Sequence, residues 1–138
     1  MTNEPAPELT DQQLDFLNSC FDLARDGQRE QLLELVDAGI PVNLGDHKGD
    51  TLLMLAAYNS HSELVAGLLE RGADPNRTNH RGQTALACAL FVQDETSVGT
   101  LLEHDADPTA GAMHAWQIVD FFGLDRMREL LPAKPQDF

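Results

Sequence analysis

Gly49-Asp-Thr-Leu-Leu-Met-Leu-Ala-Ala57 and Gly82-Gln-Thr-Ala-Leu-Ala-Cys-Ala-Leu90 are two copies of one pattern, set 33 residues apart. Thr51 corresponds to Thr84, Leu53 to Leu86 and Ala56 to Ala89. Downstream, Leu68-Leu-Glu-Arg-Gly-Ala-Asp-Pro-Asn76 returns at the same interval as Leu101-Leu-Glu-His-Asp-Ala-Asp-Pro-Thr109. Upstream, Leu35-Val-Asp-Ala-Gly-Ile-Pro-Val-Asn43 keeps the phase once more. A fixed interval of this length marks stacked supersecondary units, none of which buries its apolar face alone.

Each unit reads as two helices and a turn. In the middle unit Leu52, Leu53, Leu55, Ala56 and Ala57 predict a short apolar helix, which Asn59-Ser60 breaks. Ser60 with Glu63 three residues on predicts a capping box for a second helix. Leu64, Val65, Leu68 and Leu69 give that helix one apolar side, and Gly72 supplies the positive φ of a C-terminal cap. Residues 73–81 are polar, carry Asp74, Asn76 and Asn79 and are bounded by Gly72 and Gly82, as a projecting turn requires. At the start of the chain, Thr10-Asp-Gln-Gln13 is a second capping box. It opens a helix through Leu14, Leu17, Phe21 and Leu23 to Ala24, which Gly27 stops; Leu32, Leu33, Leu35 and Val36 form its partner. At the other end, Trp116, Val119 and Phe122 belong to one helix and Met127, Leu130 and Leu131 to a last one that stops at Pro132.

These residues resemble the ankyrin repeat, whose period is about 33 and whose first helix opens T-P-L-H-x-A. Here the openings are Thr51-Leu-Leu-Met-Leu-Ala56 and Thr84-Ala-Leu-Ala-Cys-Ala89, which keep the Thr, Leu and Ala but lack the Pro and His. The Gly-Ala-Asp-x-Asn loop is intact as Gly72-Ala-Asp-Pro-Asn76. The resemblance covers about residues 10–131. It implies an all-α solenoid of about four helix-turn-helix units with projecting turns, near 10–43, 44–76, 77–109 and 110–131. It also implies a concave face, lined by the turns and first helices, that binds another protein. The absent His implies the loss of a hydrogen bond between neighbouring units. His61 falls where the family usually carries a His at the start of the second helix, which implies a structural role. Residues 1–9 and 132–138 contain Pro and lack apolar periodicity, so both tails are expected to be mobile.

The concave set follows by phase. It comprises His47, Lys48, Asp50, Tyr58 and Asn59 in one unit and His80, Arg81, Gln83, Phe91 and Val92 in the next, with Trp116 in phase with Asp50 and Gln83. Arg25 falls in phase with Tyr58 and Phe91. Aromatic and Arg side chains carry much of the energy of protein interfaces, and Tyr58, Phe91 and Trp116 are three of eight aromatic residues in the chain. Each has a plainer reading: Trp116 closes the terminal core, Phe91 covers its own helix, and Lys48 with Arg81 forms a solvated turn.

Nine Lys and Arg against 23 Asp and Glu leave a net charge of −14. That argues against unaided binding to nucleic acid, where each neutralised phosphate needs a basic side chain, and against an anionic membrane surface. With 42% hydrophobic and 23% charged residues the composition is that of a globular chain. No apolar run approaches the ~18–20 residues of a membrane helix, and Met1-Thr-Asn-Glu-Pro-Ala-Pro-Glu8 lacks the basic and apolar segments of a secretion signal. Cys20 and Cys88 fall within apolar helical patterns, as free thiols of a cytoplasmic protein do. The five histidines share no metal-ligand spacing, and neither Cys has a neighbouring His. The expectation is a non-catalytic, cofactor-free, monomeric adaptor that binds a protein. The alternative in the same class is an acidic inhibitor or immunity-type protein, using the acids near Asp15, Asp22, Asp94, Glu95, Asp105 and Asp107 against a basic toxin or enzyme. A hydrolase or metal-dependent enzyme is the alternative of another class.

Overall fold

The structure, a computed structural model, describes residues 9–136. Among these it contains eight helices paired into four hairpins. They are α1 (Asp11–Asp26) with α2 (Arg29–Asp37), α3 (Leu52–Tyr58) with α4 (Ser62–Glu70), α5 (Ala85–Val92) with α6 (Glu95–Glu103), and α7 (Ala115–Phe122) with α8 (Asp125–Leu130). The first helices pack in one row, α1 on α3 on α5 on α7, and the second helices in a parallel row, α2 on α4 on α6 on α8. The protein is an all-α two-layer stack.

Burial explains the order of the layers. Leu52 to Ala57 are all buried in α3, as are Ala85, Leu86, Cys88, Ala89 and Leu90 in α5. Their Ala residues let neighbouring inner helices approach, and Leu53, Leu64, Leu68, Leu90, Val98 and Leu101 fill the space between the rows. Each fully buried Leu or Val contributes about 1.5–3 kcal/mol over exposure. The side-chain hydroxyls of Thr51 and Thr84 accept the amides of Met54 and Ala87, which caps α3 and α5. The box at Thr10 and Gln13 forms with both reciprocal bonds.

The bend between paired helices recurs at Gly27, Ser60, Gln93 and Gly123, which all have φ between 59° and 71°. Ser60 thus serves as the left-handed hinge, and the capping box expected with Glu63 does not form. His61 takes the N-cap position without a side-chain cap bond. Its ring instead crosses to the previous unit, where Nε2 donates to the carbonyl oxygen of Arg25 at 2.6 Å. That carbonyl is one of the orphans at the end of α1. The ring lies so close to Gly27 that a Cβ there would meet Nδ1 at 2.5 Å.

Side chains also tie the outer edges of successive turns. Asn43 accepts the amide of Asp74 at 2.8 Å, and Asn76, one repeat later, accepts the amide of Asp107 at 2.7 Å. Arg71 bridges Asp37 through two bonds of 2.8 and 3.2 Å.

The last unit departs from the period. From Thr84 to His114, the N-caps of α5 and α7, is 30 residues, three fewer than from Thr51 to Thr84. His114 therefore replaces the capping Thr, with Gln117 completing its box. Trp116 moves from the expected groove phase to the position of Leu53 and Leu86. It is only 6% exposed, and its indole N–H donates to the carbonyl oxygen of Pro132 at 3.1 Å. The expectation that Trp116 faces a partner is corrected: it closes the last unit. Of the two terminal segments expected to be mobile, residues 1–8 and 137–138 lie outside the described residues.

Candidate functional site

The projecting turns are shaped from within by acids and amides. Asp46 Oδ1 accepts the amides of Lys48 and Asp50, both at 2.9 Å. One repeat on, Asn79 Oδ1 accepts those of Arg81 and Gln83, both at 3.0 Å. The Asn79 amide group then donates to Asp50 Oδ1 at 2.7 Å and to Gln83 Oε1 at 2.8 Å. Adjacent turns are joined by the bond from the His80 amide to the Lys48 carbonyl, 2.9 Å. Asp50 and Gln83 are therefore committed to holding the turns, and the tips, His47, Lys48, His80 and Arg81, stay exposed.

Between these tips and the inner helices lies an open groove of about 910 Å³. Leu55, Cys88 and Ile118, each four residues past an N-cap, form its floor. Tyr58, Phe91 and Phe122 line the opposite wall, at the C-terminal ends of α3, α5 and α7. The Tyr58 and Phe91 rings are within 7° of parallel with centroids 6.4 Å apart. Phe91 meets Phe122 edge-on at 5.4 Å, and Phe121 meets Phe122 at 4.9 Å. Tyr58 is 52% exposed, Phe91 49% and Phe122 47%. An aromatic row this open on three successive units is a surface feature of the folded chain.

Nine of the eleven residues selected by phase line the groove: His47, Lys48, Asp50, Tyr58, Asn59, His80, Arg81, Gln83 and Phe91. Arg25 lies there too, paired with Asp22 at 2.9 Å and with Asp46 at 3.8 Å. Trp116 is buried, as described above. Val92 is half-buried and off the wall, because the helix sets successive side chains about 100° apart and presents Phe91 instead. Sequence phase missed Met113, Ile118 and Phe122, all in the unit whose turn is three residues short. A signal existed: Gly27 and Gly123 are 96 residues apart, three short of three periods.

The groove contains one thiol, that of Cys88. Burial, with the charge of Asp50 adding to it, pushes the Cys88 thiol up to about 12, and burial raises that of Cys20 as well. A thiol so raised is a poor nucleophile. Among the described residues, no group of three or more His, Cys, Asp or Glu is placed to hold a metal ion. No helix is long and apolar enough to cross a membrane, again among the described residues.

Stacked hairpins with projecting turns over a lined groove define a helical repeat protein of the recognition type. The sequence pattern of ankyrin repeats, in three copies, matches residues 21–112, and the chain belongs to the ankyrin-repeat family. It is also 48% identical over 65 residues to PA3287, a protein of Pseudomonas aeruginosa named as an ankyrin repeat protein. That match takes in 47% of this chain and 38% of the relative's length. Ankyrin repeats are in general protein–protein interaction modules and typically non-catalytic.

Proposed function

We propose that this protein is a non-catalytic adaptor of the cytoplasm that binds a partner protein in the groove between its turn tips and its inner helices. The observation that carries this reading is the row Tyr58, Phe91 and Phe122, half-exposed on three consecutive units above an apolar floor. Their mutual stacking uses only part of three rings left half-exposed, whereas buried aromatic anchors dominate interface energetics. Two free cysteines, both buried, support a reducing compartment.

The acidic-inhibitor reading draws less support. Of the acids it needs, Asp94 caps α6, Glu95 pairs with Arg126 and Asp22 pairs with Arg25. Asp107 accepts from the amide and hydroxyl of Thr109 at 2.9 and 2.7 Å. These carboxylates are occupied within the fold.

The test is a double substitution, Tyr58→Ala with Phe91→Ala, in a pull-down from the native cytoplasm. Capture of the partner falls at least tenfold while the variant still unfolds cooperatively, its melting temperature lowered by several degrees through the loss of the ring pairs. Undiminished capture by the double variant places binding elsewhere on the molecule.

A further inference from the structure

The two walls of the groove differ in chemistry, and that difference specifies a partner. Along one wall the acids are turned inward. The Asp46 side chain is 7% exposed and Asp50 is half-buried, both held by the bonds that shape the turns. The cations point outward: Lys48 and Arg81 are exposed and, among the described residues, make no side-chain hydrogen bond or ion pair. His47 and His80 flank them on the same tips. On a chain of net charge −14 this is a cationic edge, kept clear of the carboxylates nearest to it. Along the other wall the surface is aromatic.

Dimensions narrow the choice. The inner helices that cross the floor have seven to eight residues, which makes the floor about 10–12 Å wide along their axes at 1.5 Å per residue. An α-helix with its side chains is ~10–12 Å across. Neighbouring units lie ~8–10 Å apart, so the three units of the floor offer roughly 20 Å, about four helical turns. The same spacing separates Lys48 from Arg81 by the rise of about five to seven helical residues, and within that range only a step of seven returns a side chain to the same face.

We propose that the groove takes an amphipathic helix from the partner, its apolar stripe on Leu55, Cys88 and Ile118, its aromatic-facing side against Phe91, and two carboxylates about seven residues apart facing Lys48 and Arg81. This inference rests on the groove being the binding face and adds the chemistry of what enters it.

The experiment is a display selection on the full-length protein. The library holds 18-residue helical peptides with a fixed Leu stripe and Glu, Gln or Lys at each flanking position. The expected winners carry Glu at two positions seven apart on one flank. Lys48→Gln with Arg81→Gln lowers the affinity of a winner by about 5–10-fold, the combined effect of two exposed ion pairs, but leaves its Gln-substituted version unchanged. Phe91→Ala costs either peptide at least tenfold. Winners rich in Lys that still need Phe91 overturn the acidic helix while the groove stands as the binding face. Winners indifferent to both Phe91→Ala and Tyr58→Ala overturn the groove itself. A selection with no enrichment overturns the helical occupant, and the pull-down of the Tyr58→Ala, Phe91→Ala variant then decides separately on the groove.

Discussion

His61 and Arg25 lie in neighbouring units, and the imidazole Nε2 of the first donates to the carbonyl oxygen of the second at 2.6 Å. The openings Thr51-Leu-Leu-Met54 and Thr84-Ala-Leu-Ala87 lack the His of the family pattern, so the inter-unit bond it usually makes is absent at both. Here one His at the start of the second helix provides a tie of that kind between the first two units. His61→Ala, which removes both the bond and the ring packed under Gly27, costs about 1–2 kcal/mol. Urea denaturation monitored by circular dichroism measures it, and an unchanged midpoint with an unchanged slope excludes the tie.

Trp116 and Phe121 are both large apolar residues of α7, with opposite roles. Trp116 fills the last unit at 6% exposure and Phe121 stands 74% exposed. Trp116→Ala costs about 3–5 kcal/mol, as large-to-small changes in a core do. Phe121→Ala stays within about 0.5 kcal/mol. Equal costs for the two would contradict the three-residue slip of the last unit.

Gln93 occupies the left-handed hinge that Gly27 and Gly123 fill without a Cβ, at φ 59°. Relief of its backbone strain exceeds the freedom that Gly adds to the unfolded chain. Gln93→Gly therefore stabilises by about 0.5–1 kcal/mol. Calorimetry reads this as a rise of a few degrees. Val92→Gly, one residue earlier inside α5, does the reverse.

Acid weakens the stack through two depressed carboxyls. The Arg71 guanidinium hydrogen-bonded to Asp37 holds its carboxyl below the usual range, and the hydroxyl and amide of Thr109 do the same for Asp107. A group bound more weakly to protons when folded adds stability above its unfolded pKa of about 3.9, and loses it as pH falls through the lower folded value. Asp37→Asn and Asp107→Asn should therefore lower the urea midpoint at pH 7 and converge on the parent chain as the pH falls through the depressed folded values. Both groups are solvent-facing, so 1 M salt shrinks the Asp37 effect.

The fold was legible because apolar residues and loop signals recurred at one interval, and burial then followed from position within the unit. Leu53 and Leu86, read as helix core, are 1% and 2% exposed. Position within the unit also located the turn tips and the first two aromatic rings, since nine of eleven phase-selected residues line one groove. What phase did not carry was a change in phase. Three residues missing before α7 put Trp116 in the core and Phe122 on the wall, and apolar composition alone does not distinguish those two places. Ser60 departs from the expected cap for a related reason. Ser followed by Glu three residues on has the pattern of a cap, but the left-handed hinge fixed its backbone first.

The ladder in which Asn43 holds Asp74 and Asn76 holds Asp107 reaches one neighbour and no farther. Every rung is thus local, and the copy spanning 44–76 carries both halves of one, Asp74 to be held and Asn76 to hold the next. A gene that duplicated that cassette would lengthen the groove by one unit and keep this ladder unbroken, so the length of the surface is set by how many times one segment is copied.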